Sequence, residues 1–323
     1  MSARPLELGS ALAGAASARG PAPSLELEKV SVIYPDGNVA LRDASLRLAG
    51  GRVAGLVGLN GSGKSTLFKA LMGIERPARG RVAVCGRPVR SALKAGIVAY
   101  VPQSEDVDWD FPFLVEDVAM TGRYGRMGWL RRPSAADRAA VDGALERVGL
   151  SALRKRQIGE LSGGQKKRAF LARALAQGAP VVLLDEPFAG VDVASEAAIV
   201  AILREIAAEG ALVLVSTHDL GSVPGFCEEV VLVAGTVLAA GPTRSVFTPE
   251  NLEHVFGGAL RRVRLGGADL HDDADARALT VLADDERPLV FYGRGEEPGA
   301  VTRQDHAHAA VPSPAPPGGP GGA

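Results

Sequence analysis

From residue 25 to about 258 the chain alternates short apolar runs with longer stretches of spaced apolar residues, and the two patterns predict different elements. Four runs, "VAGLVG", "IVAYVP", "VVLLDE" and "ALVLVSTH", are too short for ordinary helices, rich in β-branched residues, and end in polar groups, which predicts buried strands. Continuous apolar runs of this kind belong to a largely parallel sheet covered on both faces, so the fold class is α/β. In "SAADRAAVDGALERVG" Ala, Val and Leu recur at helical spacing, and residues 115–176 read as a mainly helical insert carried by the sheet domain. Beyond 258 the order weakens. Residues 259–293 form a C-terminal extension in which "RALTVLADDERPLVFYGR" suits a hairpin, and residues 294–323 are Pro, Gly, Ala and His with little to bury, a disordered tail.

In open α/β sheets ligands bind beyond the carboxyl ends of the strands. The groups that follow the four runs are therefore expected to share one crevice: a glycine loop with Lys64, then Gln103, the Asp185 and Glu186 pair, and His218.

Composition narrows the setting. Lys plus Arg number 36 against 37 Asp plus Glu, so the positive excess that draws a protein to nucleic-acid phosphates is missing, and no nucleic-acid partner is expected. Cys85 and Cys227 are far apart among small or apolar neighbours, which fits buried reduced thiols rather than a disulfide framework or a metal site. No stretch approaches the roughly 18 apolar residues a membrane-spanning helix requires. The first 23 residues contain "ALAGAASA", which resembles a signal-cleavage region, yet they have only Arg4 in front, carry Glu7 and lack a strong apolar centre; they read as a disordered leader.

The chemistry begins with "GLNGSGKST", residues 58–66, directly after an apolar run. Gly58, Gly61 and Gly63 let the backbone curl so that N–H groups of the loop, with Asn60 and Ser62 in it, face phosphate oxygens, and the following helix adds its positive end. Lys64 is placed to reach the β and γ phosphates, and Ser65, beside Thr66, to hold Mg²⁺. "VVLLDEP" supplies two adjacent carboxylates: Asp185 for the Mg²⁺ shell and Glu186 to accept a proton from attacking water. These two motifs describe a nucleotide triphosphatase and leave a small kinase or a GTPase open. "LSGGQ", residues 161–165, adds a second anion-binding helix end, with Ser162 suited to the N-cap and Gly163 and Gly164 to close backbone approach.

With Tyr34, "GLNGSGKST", Gln103, "LSGGQ", "VVLLDEP", "AGVD" and His218 in that order, the chain resembles the ATP-binding subunit of an ATP-binding cassette (ABC) transporter over residues 24–258. The resemblance implies a P-loop NTPase core with a parallel sheet, an antiparallel β subdomain and a helical subdomain. It implies that Tyr34 stacks on adenine, Gln103 senses Mg²⁺ and the water, His218 contacts the γ-phosphate, and Asp192 organises the opposing subunit. It also implies a head-to-tail pair of copies, each ATP clamped between the loop of one and Ser162, Gly163, Gly164 and Gln165 of the other. The remaining partners implied are an integral membrane permease and, indirectly, an extracytoplasmic metal-binding protein, with the chain peripheral on the cytoplasmic face of the cell membrane.

"YVPQSEDVDWDFPF", "GRYGRMGW", "RQIGELSGGQ", "DEPFAGVD" and "FTPENLEHVFGG" resemble the importers of manganese, zinc and chelated iron within that family. Aromatics are only 5% of the chain, yet Trp109, Phe111 and Phe113 cluster just after Gln103, where the resemblance implies a docking face for the membrane subunits. A subunit serving another solute, an exporter subunit and a soluble ABC protein are the rival readings. His271, His306 and His308 read as part of a solvated tail rather than as a metal sensor.

Overall fold

The computed structural model describes residues 22–103 and 112–257, together with the backbone of three strands beyond them. The first half runs β1 (Ser24–Ile33), β2 (Val39–Ala49), β3 (Arg52–Val57), α1 (Lys64–Leu71), β4 (Arg79–Val84), β5 (Arg87–Pro88), α2 (Val89–Lys94) and β6 (Val98–Val101). Three helices follow, α3 (Val115–Thr121), α4 (Ala135–Arg147) and α5 (Gly163–Gln177), and then β7 (Val181–Asp185), α6 (Val193–Ala208) and β8 (Leu212–Thr217). The described body closes with α7 (Val223–Phe226), β9 (Glu229–Val233), β10 (Val237–Pro242), α8 (Thr243–Val246) and α9 (Pro249–Phe256).

The central sheet has the order β10-β9-β3-β8-β7-β6, parallel throughout except for β10 at one edge. The four apolar runs of the sequence are its four neighbouring strands β3, β8, β7 and β6. Each strand divides its side chains between two cores. Val53 and Val57, Val213 and Val215, and Val182 and Leu184 face the helices α3 to α6 and α9. Ala54 and Leu56, Leu212 and Leu214, and Val181 and Leu183 face the opposite way, toward α1 and the second sheet. A strand buried on both faces has few polar positions to offer, which is why these runs read as mostly apolar stretches.

The second sheet is antiparallel, in the order β2-β1-β4-β5. Its long strands show the other pattern, with Leu25, Leu27, Val30 and Val32 inward on β1 and Leu41, Ala44, Leu46 and Leu48 inward on β2. The spacing slips by one residue in each strand. A bulge absorbs the slip, with Lys29 at φ 46° and Asp43 at φ 47°, so that the apolar residues on either side keep facing the core.

Capping and arginine side chains, Arg123 among them, help hold the helical insert together. Ser134 and Asp137 cap α4 reciprocally, and Asp137 Oδ1 also accepts from Arg123 Nε at 2.9 Å. Arg123 reaches on to the carbonyl of Ala176, tying the segment after α3 to both α4 and the end of α5. The apolar spacing of α4 buries Val141, Ala144 and Leu145 against its neighbours. Cys85 and Cys227 are both buried and free.

Beyond residue 257, strands β11 (Arg261–Leu265), β12 (Leu279–Ala283) and β13 (Leu289–Tyr292) form an antiparallel sheet in that order. The leader through residue 21, the tail from 294 on, Trp109, Phe111 and the three tail histidines lie outside the described residues. No helix among the described residues is long and apolar enough to cross a membrane.

Candidate nucleotide site

Strand β3 delivers the chain into the loop 58–63 and straight on into α1. Gly63 has a φ of 104°, and a Cβ there would stand 2.8 Å from the carbonyl of Ala40, so no other residue makes this turn against β2. Gly61 is also left-handed, and Asn60 and Ser65 are exposed at the rim. Lys64 is buried, its Nζ donating to the carbonyls of Gly58 at 2.6 Å and Leu59 at 3.0 Å. Burial lowers its pKa, and Glu186 and Asp185 work in the opposite direction. Ser62 Oγ is buried without a hydrogen-bond partner among the described residues. A buried cation and an unmatched hydroxyl in a glycine turn at a helix start are donors suited to phosphate oxygens, so the loop fits a nucleotide triphosphate. Tyr34 lies beside this loop, its hydroxyl 3.0 Å from Thr66 Oγ1.

Two strand positions from β3 the carboxylates appear. Asp185 ends β7 and is buried, receiving the hydroxyls of Ser216 on Oδ1 and Tyr100 on Oδ2, the latter at 3.3 Å. Glu186 follows with φ 46°, a left-handed backbone in a non-glycine residue, of a kind that persists only where the surroundings impose it. Ser216 Oγ accepts from its amide at 3.0 Å. The turn sends the Glu186 side chain between two neighbours: Gln103 Nε2 donates to Oε2 at 2.9 Å, and His218 Nδ1 lies 3.2 Å from Oε1. Gln103 comes from the end of β6 and His218 from the end of β8, so the crevice expected from the sequence is made by adjacent strand ends. Asp185, Ser65 and Gln103 offer hard oxygen donors, the set Mg²⁺ prefers, and so fit that ion.

Ser162, Gly163, Gly164 and Gln165 stand apart from this crevice. Ser162 caps α5, accepting from Gln165 N at 3.3 Å while Gln165 Oε1 takes the Ser162 amide at 3.0 Å. Gly164 is buried against the start of α6, where Asp192 is the N-cap and binds Ser195 twice. Those hydrogen bonds hold the Asp192 carboxyl below the usual carboxylate range. Gly163 meets only Gly190 O, at 3.5 Å from a Cβ built there. Among the described residues, the hydrogen bonds and close approaches of these four residues lie within α5 and with Gly190, Asp192 and Ser195 at the start of α6, away from the phosphate loop of the same chain.

Sequence reasoning missed Tyr100, Ser216, Lys167 and Arg173. Lys167 is buried on α5 with Nζ 3.4 Å from the carbonyl of Glu186, and Arg173 donates to the carbonyl of Tyr100 at 2.7 Å. The available signal was polar groups inside otherwise apolar elements, Tyr100 in "IVAYVP" and Ser216 in "ALVLVSTH", each of which must find a partner when buried.

Residues 41–189 match the ABC transporter family. A chelated iron transport system membrane protein of Yersinia pestis, YfeB, is 59% identical over 84% of this chain and 92% of its own length. The manganese transport system ATP-binding protein MntA of Synechocystis is 54% identical over 72% of this chain and 90% of its own. Among solved structures, a chain of an ABC transporter in an inward-facing conformation superposes with a TM-score of 0.66 at 26% identity, covering 81% of this chain and 96% of that one. The chain thus belongs to the family of ABC transporter ATP-binding subunits and is an ATPase.

Proposed function

We propose that this chain is the ATP-hydrolysing subunit of an importer for a transition metal, manganese, zinc or chelated iron, and that it works as a pair of copies beneath an integral membrane permease. It is then peripheral on the cytoplasmic face of the membrane, with an extracytoplasmic metal-binding protein as an indirect partner. The names of the relatives with 59% and 54% identity support the cargo class. Residues 24–258 make up the ATPase unit, with 115–176 as its helical subdomain and 259–293 as an extension.

The observation that carries the catalytic reading is the Glu186 carboxylate, held between Gln103 at 2.9 Å and His218 at 3.2 Å, two strand positions from the loop of Lys64. Glu186 takes a proton from the water that attacks the γ-phosphorus as the bond to the β–γ bridging oxygen breaks. Gln103 and His218 fix the orientation of that carboxylate, and His218 also addresses the γ-phosphate. Lys64 leaves the carbonyls of Gly58 and Leu59 for phosphate oxygens, and Tyr34 stacks on adenine. Ser65, Asp185 and Gln103 would hold Mg²⁺, which when bound would neutralise developing phosphate charge. Ser162, Gly163, Gly164 and Gln165 serve the ATP of the opposing copy, which agrees with their contacts lying away from the loop of their own chain, and Asp192 supports that corner. ATP then stabilises the closed pair by contacts that hydrolysis removes.

Two measurements test this. Glu186→Gln is expected to bind ATP, accumulate as a closed dimer in gel filtration and release almost no phosphate; wild-type phosphate release by that variant overturns the catalytic assignment. Uptake of radiolabelled Mn, Zn and Fe by cells with and without the protein tests the cargo. Equal uptake of all three in both strains refutes metal import and leaves an ATPase for another solute.

A further inference from the structure

Among the described residues strand β6 is an edge of the central sheet, paired with β7 on one side only. An edge strand leaves a row of backbone groups to be covered by something else. Here the cover is two side chains of α5 one helical turn apart. Gln177 Nε2 donates to the carbonyl of Val98 at 2.7 Å and to that of Gly96 at 3.3 Å, and Arg173 Nη2 donates to the carbonyl of Tyr100 at 2.7 Å. Residues four apart on a helix lie on one face, and carbonyls two apart on a strand point the same way, so the pair matches the strand as a short surrogate neighbour. The Arg173 guanidinium is half-buried, lies 5.3 Å from the ring centroid of Phe170, and has its pKa lowered by burial.

The strand so gripped carries two links to the reacting end of the site. The Tyr100 hydroxyl donates to Asp185, with its ring edge-on to Phe68 of α1, and two residues beyond β6 the Gln103 amide donates to Glu186. The helix that grips it starts at Gly163, ten residues before Arg173, a rigid span of about 15 Å at the rise of an α-helix.

We propose that Arg173 and Gln177 are positioning residues for ATP hydrolysis: by standing in for a missing strand on β6 they fix the register between the "LSGGQ" helix and the strand whose Tyr100 and Gln103 orient Asp185 and Glu186. The proposal rests on the reading of Glu186 given above, and it adds a route by which displacement of Ser162 and Gly163 reaches the carboxylates. Arg173 and Gln177 act through Tyr100 and Gln103 and do not touch the nucleotide.

The test uses the full chain, in three variants. Arg173→Met keeps the length and removes the donors, Arg173→Lys keeps the charge and a single donor nitrogen, and Glu186→Gln is the catalytic control. In the ATP-free protein, amide exchange over residues 98–103 is expected to speed up about tenfold in Arg173→Met, and that over α4 to stay unchanged. With ATP, Arg173→Met is expected to hold KM within about twofold and lose about tenfold in kcat, with Arg173→Lys regaining most of it, because a small misplacement of a catalytic group costs rate rather than affinity. Unchanged exchange over 98–103 overturns the proposal, and so does wild-type kcat in Arg173→Met. Loss of kcat that tracks only the folded fraction, without rescue by lysine, overturns it as well. Wild-type turnover by Glu186→Gln would sink the catalytic reading, and the exchange experiment would still decide for or against the clamp itself.

Discussion

Gly163 and Gly164 are adjacent and chemically identical, and the structure predicts opposite consequences for replacing them. A Cβ on Gly164 would lie 2.3 Å from Ser195 Oγ and 2.6 Å from Ser195 Cβ. Ser195 is not free to yield, because its amide and hydroxyl both bind Asp192, at 2.9 Å and 2.7 Å, as the N-cap of α6. Gly164→Ala must therefore push α5 away from α6 or break the cap. Overpacking costs about 1–3 kcal/mol, and the helix propensity gained on replacing glycine returns at most about 1 kcal/mol. A net loss of about 1–2 kcal/mol corresponds to a fall in Tm of roughly 2–8 °C for a domain of this size. On Gly163 the nearest atom to a Cβ is Gly190 O at 3.5 Å, an ordinary contact, so Gly163→Ala should melt within about 1 °C of wild type or slightly above it. Its damage belongs to the pair of copies: ATP-dependent dimerisation and phosphate release should drop in Gly163→Ala although the isolated chain is intact. Thermal unfolding of the two variants by circular dichroism, followed by gel filtration with ATP in the Glu186→Gln background, measures both halves. Equal melting temperatures, or Gly163→Ala as the less stable of the two, would refute the packing argument.

Two further predictions follow from charged groups. Asp137 is held at a pKa of about 2, below its ordinary 3.8, first by the hydroxyl and amide of Ser134 and then by Arg123. Because the folded value is the depressed one, the stabilisation is complete above pH 4 and drains away as pH falls toward 2; Asp137→Asn should lose stability at neutral pH and show a flatter decline over that acid window in urea titrations. Lys64→Met removes the only cation bound to the carbonyls of Gly58 and Leu59 among the described residues, and should weaken ATP at least about tenfold, as expected for lost hydrogen bonds to a charged group, in equilibrium titration with a fluorescent analogue. Full ATP affinity in that variant would remove Lys64 from the phosphate site.

Much of the site was legible because its residues are tied to local pattern. A glycine loop between an apolar run and a helix, and carboxylates at the end of another run, announce their chemistry within a few positions, and strand order then brings Gln103, Glu186 and His218 within hydrogen-bond reach. The α4 helix was readable for the same reason, its buried Val141, Ala144 and Leu145 falling at the spacing of one helical face. Arg173 and Gln177 were not readable. Their partners are carbonyls of Tyr100 and Val98, more than seventy residues away, and a backbone carbonyl leaves no mark in a sequence. The bulges at Lys29 and Asp43 were also hidden, because a left-handed lysine or aspartate looks like any other.

The sequence by itself determined the four central strands, their parallel sheet, the helical insert and the residues proposed for phosphate, proton and metal binding, since periodicity and short motifs act over distances of a few residues. Tertiary structure decided the rest: that β6 lies at an edge and is covered by α5, that Glu186 is bent into the left-handed region between Gln103 and His218, and that Gly164 is filled by Ser195 whereas Gly163 stays clear. These depend on which distant backbones come within a few ångströms of each other, and that is fixed only when the two cores on either side of the sheet close.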